Sequence, residues 1–121
     1  MKFEFDNNIP IYIQLVEQLK KYVISGKLKC GERLPSVRDL ALQTKVNPNT
    51  MQRALVELEE MGLIYTERTN GKFVTGDREL IGKYKIQYAS QLASNYFENM
   101  ESLGIGKEEA VNHLIKLKGE K

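Results

Sequence analysis

Apolar residues recur at spacings of three and four along most of this chain, and the places where that rhythm breaks mark its turns and one short β segment. A first helix is predicted to open at Pro10, with Ile11, Leu15, Leu19, Tyr22 and Val23 on one stripe that ends before Gly26. Gly26 and Gly31 bracket a basic loop, Lys27-Leu28-Lys29-Cys30, and Leu34-Pro35 turns the chain into a second helix. Ser36 followed by Asp39 resembles a capping box, so this helix begins near Val37, faces the core with Val37, Leu40 and Ala41, and stops around Thr44 or Lys45. Asn47 then offers a cap and Pro48 a first helical position, which leaves a turn short enough to force a helix-turn-helix crossing.

On the third helix, Met51, Ala54, Leu55 and Leu58 fall on one side, while Asn49, Gln52, Arg53 and Val56 fall on the other. Gly62 closes it. Leu63-Ile64-Tyr65-Thr66 is a short run of strand formers, Asn70-Gly71 is a hairpin signal, and Lys72-Phe73-Val74-Thr75 is the returning strand. Beyond Gly76, Ile81, Tyr84, Tyr88, Leu92, Tyr96, Met100 and Leu103 form a helical stripe of about six turns. Gly104 ends it, and Lys107 to Lys118 makes a last helix with Ala110, Val111, Leu114 and Leu117 turned inward. The expected fold is mainly α with a small β-hairpin: a winged helix-turn-helix over residues 9–76, then a two-helix appendage over residues 77–121. So long an apolar face exceeds what a small domain covers, so Ile81, Tyr84, Tyr88, Leu92, Tyr96 and Met100 are expected to pair two copies of the chain.

Composition narrows the class. The chain has 121 residues, of which 41% are hydrophobic, enough for an ordinary core. No apolar run is long enough to span a bilayer, and Met1 to Asp6 lacks the features of a secretion signal, so a cytoplasmic protein without membrane partners is expected. Its single cysteine, Cys30, reads as a reduced thiol, and its single histidine, His113, has no second ligand at metal spacing. With no phosphate-binding glycine loop and no nucleophile–base pairing, neither an enzyme nor a cofactor is expected.

Net charge is only +2, but its distribution is uneven. From Lys20 to Arg53 eight basic residues face two acidic ones, whereas residues 77–121 hold seven of each. The basic excess coincides with the helix-turn-helix pattern, which points to double-stranded DNA. Glu57, Glu59 and Glu60 confine the approach to the first two turns of the third helix, because carboxylates repel phosphate. There Asn49 and Gln52 can pair with adenine and Thr50 can meet a phosphate or a thymine methyl group, with capping as the plainer reading for Asn49 and Thr50. Asn47 is a cap that also reaches toward phosphate. Arg53 is assigned to DNA, against a weak intrahelical pair with Glu57. Arg38 opposes the dipole of the second helix, so its presence asks for another cause, an anion outside the protein. At the hairpin tip, Arg68, Asn70, Gly71 and Lys72 combine cations with a glycine that lets the backbone approach a phosphate.

The runs Pro10-Ile11-Tyr12-Ile13-Gln14-Leu15, Gly26-Lys27-Leu28, Gly31-Glu32-Arg33-Leu34-Pro35-Ser36-Val37-Arg38-Asp39-Leu40-Ala41, Val46-Asn47-Pro48-Asn49-Thr50-Met51-Gln52-Arg53-Ala54 and Gly71-Lys72-Phe73-Val74 together resemble the GntR-type bacterial transcription regulators, and within them the short YtrA-like subfamily. The resemblance implies a homodimeric repressor on a two-fold symmetric operator, often of transporter genes, with a base- or phosphate-contacting arginine at Arg38. In a tail this short, the small-molecule pocket usual in the family has no obvious home, and the effector is left open. Pro48 stands where many relatives carry a basic residue, and Thr69 replaces the first glycine usual in the wing. The alternative reading is a winged-helix module that docks a protein partner through its long apolar helix and never touches DNA.

Overall fold

A computed structural model describes residues 1–119. The elements run α1 (Ile11–Ile24), α2 (Val37–Thr44), α3 (Pro48–Glu60), β1 (Ile64–Glu67), β2 (Gly71–Val74), α4 (Arg78–Ser102) and α5 (Lys107–Gly119). They fall into two compact units, Met1–Tyr84 and a second that starts at Lys85.

The first unit is a winged helix-turn-helix. Leu15, Leu19 and Val23 of α1, Leu40 of α2, Met51, Leu55 and Leu58 of α3, and Leu63, Ile64 and Val74 of the hairpin form one core in which each is at most 2% exposed. Three helices and a hairpin thus share a single apolar centre, and this burial sets how α2 and α3 cross. β1 and β2 pair antiparallel from Ile64↔Val74 to Glu67↔Gly71. The loop is the three residues Arg68-Thr69-Asn70, with the Asn70 N–H bonded to the Glu67 carbonyl at 3.2 Å and Gly71 at φ 98°. A turn followed by a positive-φ glycine is the usual three-residue hairpin, so Asn70-Gly71 marks its end and not its two-residue apex.

Two features of this unit lie outside the sequence expectation. The segment from Gly31 to Leu34 runs along the free side of β2: Leu34 N–H donates to the Lys72 carbonyl at 2.8 Å, Val74 N–H to the Glu32 carbonyl at 2.8 Å, and Gly31 N–H to the Val74 carbonyl at 3.0 Å. β2 is therefore bonded on both sides. The residues before α1 are also ordered into the unit. Gln18 donates to the Glu4 carbonyl at 2.6 Å and accepts its N–H at 3.1 Å, and Gln14 does the same for Asp6 at 2.7 Å in both directions. The Tyr22 hydroxyl grips the backbone of Lys2 in the same way. Because Gln14, Gln18 and Tyr22 recur every four residues, one face of α1 binds alternate residues of an extended strand, and the strand's other residues, Phe3 and Phe5, pack against the core.

The start of α4 also belongs to this unit. Ile81 and Tyr84 pack partly buried against its core, and the Tyr84 hydroxyl donates to the Met61 carbonyl at 3.1 Å. In the second unit, Gly104 at φ 81° ends the turn after α4, the Tyr96 hydroxyl donates to the Ala110 carbonyl at 2.7 Å, and Ala110 is fully buried. Tyr88, Phe97, Met100 and Ile105 are half-buried, and others are open: Ile86 and Leu92 are 69% and 68% exposed. Val111, Leu114 and Leu117, expected to face inward, are exposed as well, since only the small Ala110 meets the neighbouring helix closely enough to be covered.

Candidate nucleic-acid interface

The helix-turn-helix is set by its caps. The Ser36 hydroxyl accepts the Asp39 N–H at 3.1 Å, fixing where α2 starts and leaving Arg38 exposed in its first turn. α2 ends on Lys45 in the left-handed region (φ 58°, ψ 37°), and Val46 N–H returns to the Ala41 carbonyl at 3.0 Å. Two residues later the Asn47 side chain accepts the Asn49 N–H at 2.8 Å and Pro48 opens α3. This bond commits Asn47 to capping. Asn47→Ala is therefore expected to lower stability by about 1 kcal/mol, read as a shift in the denaturant midpoint at unchanged slope.

With Met51, Ala54, Leu55 and Leu58 buried, α3 presents Asn49, Gln52, Arg53 and Val56 to solvent, and Thr50 is half-buried beside them. The guanidinium of Arg53 lies over the ring of Tyr12, 4.1 Å from its centroid. The Tyr12 hydroxyl donates to Glu57 at 2.7 Å. That bond to a carboxylate, reinforced by partial desolvation and by the charge of Glu57, raises the pKa of the phenol above its ordinary value. Tyr12 thus stands where a direct Arg53–Glu57 pair was the alternative. It engages the acid with its hydroxyl and the cation with its face.

The hairpin divides its side chains by strand alternation. Tyr65 and Phe73 stack on one face with centroids 5.6 Å apart. On the other, Lys72 lies 2.9 Å from the Thr66 hydroxyl and 3.5 Å from Glu59, and Thr66 donates to Glu59 at 2.6 Å. Lys72, read from sequence as a tip cation, is accordingly engaged with the end of α3. Arg68 is exposed and has no ion-pair partner among the described residues, and Asn70 donates to Glu67 at 3.0 Å.

The structure brings Asn49, Gln52 and Arg53 onto one outward face and sets Arg38 at the start of the helix packed behind it. Sequence reasoning missed Tyr12, whose only signal was its aromatic type on a half-buried stretch, and Arg33, which stands beside Gly71 next to the wing. The six residues assigned to pairing divide. Ile81 and Tyr84 pack in the first unit, Tyr96 bonds Ala110, Tyr88 and Met100 are half-buried, and Leu92 is open. Among the described residues no cluster of His, Cys, Asp and Glu is placed to hold a metal ion, and no helix is long and apolar enough to cross a membrane.

Residues 11–74 match the model of the bacterial regulatory proteins of the gntR family. The transcriptional repressor YtrA of Bacillus subtilis is 42% identical over 69 residues, 57% of this chain and 53% of that protein. A GntR family transcriptional regulator from Listeria monocytogenes superposes with a TM-score of 0.85 at 41% identity, covering 93% of this chain and 98% of its own. The DNA-binding domain of AraR, solved in complex with an operator, superposes with a TM-score of 0.56 at 25% identity, over 62% of this chain and 96% of that domain.

Proposed function

We propose, for a chain that belongs to the gntR family of bacterial regulatory proteins, a homodimeric cytoplasmic repressor that blocks transcription by occupying a two-fold symmetric operator. DNA-binding transcriptional regulation is the activity of the family, and its named relatives are regulators and not enzymes. The observation that carries the finer reading is the capped, acid-free start of α3, which presents Asn49, Gln52 and Arg53 to solvent while Glu57 and Glu59 of its acidic half are engaged by Tyr12, Thr66 and Lys72. A helix end of this composition suits the major groove, and the wing suits the sugar-phosphate rail beside it. The likeness to a domain solved on its operator supports this over docking to a protein partner.

The domains divide the labour. Residues 9–76 read DNA, and the helices of residues 77–121 pair two copies through apolar side chains such as Leu92 that a single chain leaves open. Two α3 ends about one helical turn of DNA apart would then meet the half-sites of a palindrome. Bound sites found by genomic footprinting supply the duplex for a gel-shift test. Arg38→Ala is expected to weaken binding about tenfold and equally across sequences, as for a lost phosphate contact. Undiminished binding by Arg38→Ala and Arg53→Ala alike would overturn the assigned face.

A further inference from the structure

The geometry points to Arg33 as a DNA-phosphate contact that joins the wing to the start of α2, a role resting on the DNA-binding reading above. Arg33 lies in the extended segment that pairs with β2, bridged to Phe73. Its neighbour Leu34 is buried, so alternation along the segment turns Arg33 outward, and it is exposed. Its guanidinium rests against the hairpin at Gly71: a methyl carbon built there would stand 3.4 Å from Nε and 3.6 Å from an Nη nitrogen. That is ordinary contact distance, so the guanidinium packs on the hairpin backbone without crowding it, and the φ of 98° is what favours glycine there.

The cation is uncommitted. Among the described residues Arg33 has no ion pair: its neighbour Glu32 accepts the Lys29 N–H at 2.8 Å, Asp39, which lines the same cavity, makes no ion pair with it, and on the hairpin side Glu67 accepts from Asn70 while Glu59 holds Thr66 and Lys72. Lys72, which sequence spacing assigns to phosphate, has its ammonium drawn to Glu59 and Thr66. Beside Gly71 it is Arg33 that offers a free, planar set of N–H donors suited to a phosphate. Three residues further along, Ser36 caps α2, so one short segment carries Arg33 and Arg38 toward the same rail. Arg33 would therefore supply affinity and register without reading bases.

The test uses the full chain and fluorescence anisotropy on a short mixed-sequence duplex and on the footprinted operator, over a salt series. Arg33→Gln, which keeps the stem and polar end but removes the charge, is expected to reduce the slope of log affinity against log salt by about 0.9 on both duplexes. Arg33→Lys is expected to keep the wild-type slope. An unchanged slope in Arg33→Gln overturns the contact, and if its melting temperature falls at the same time Arg33 is a brace for the hairpin. Failure of the wild-type chain to bind either duplex at low salt would instead remove the DNA-binding reading itself.

Discussion

Replacing Leu92 and Leu114 together by Glu is expected to give a monomer in sedimentation and to lower affinity for a two-half-site operator by about 10²–10⁴-fold, while affinity for a single half-site stays unchanged. These side chains are 68% and 46% exposed in the single chain, and among the described residues of their unit the one fully buried apolar side chain is Ala110. Burying one such leucine against a second copy contributes about 1.5–3 kcal/mol, and a carboxylate in its place adds a desolvation cost that no partner in an apolar contact repays. Four substituted positions per dimer exceed what a contact built mainly from these two helices tolerates. Within one chain the change should be mild, because neither leucine is buried there, so retained helical circular dichroism separates lost pairing from lost folding. A persisting dimer would assign the pairing surface elsewhere. A monomer that still binds the full operator with wild-type affinity would show that pairing contributes nothing to recognition.

The parts of the fold written in adjacent residues were legible. Ser36 with Asp39, and Asn47 with Pro48, set two helix starts a few residues apart, and each cap is a bond between neighbours in the chain. The periodic stripe of α1 and the buried side of α3 were readable for the same reason. What failed to show were contacts between distant segments. Tyr12 meets Arg53 and Glu57 only after α1 packs on α3, and Gly31 to Leu34 is held extended only because β2 is there to bond with it. Lys72 is a case between the two, since strand alternation puts it opposite Thr66, but the nearness of Glu59 depends on how the hairpin leaves α3. On α5 the sequence showed which positions are apolar without showing what covers them. The structure of one chain leaves Val111, Leu114 and Leu117 open, as a surface used between copies would be.

Arg53→Ala is expected to weaken operator binding about 10- to 100-fold and to relax preference at one base position in each half-site, the effect of losing a contact worth about 1–3 kcal/mol. Stacking on Tyr12 occupies the face of the guanidinium and leaves its edge, where the N–H donors lie, available to a base or phosphate. The side chain is thereby ordered before DNA arrives, which reduces the entropy lost on binding. Glu57, the carboxylate best placed along the helix to neutralise Arg53, accepts the Tyr12 hydroxyl at 2.7 Å. The two residues should therefore separate by variant. Tyr12→Phe keeps the ring beneath the guanidinium and is expected to bind within about threefold of wild type, whereas Tyr12→Ala loses the platform and should fall part of the way toward Arg53→Ala. Arg53→Lys should not restore affinity, since an ammonium lacks both the planar face and the forked donors. Base preference is read by competition with half-site variants. If Arg53→Ala keeps wild-type affinity and preference, the outward face of α3 is not the reader, because no other cation stands among the exposed side chains Asn49, Gln52 and Val56 on that face.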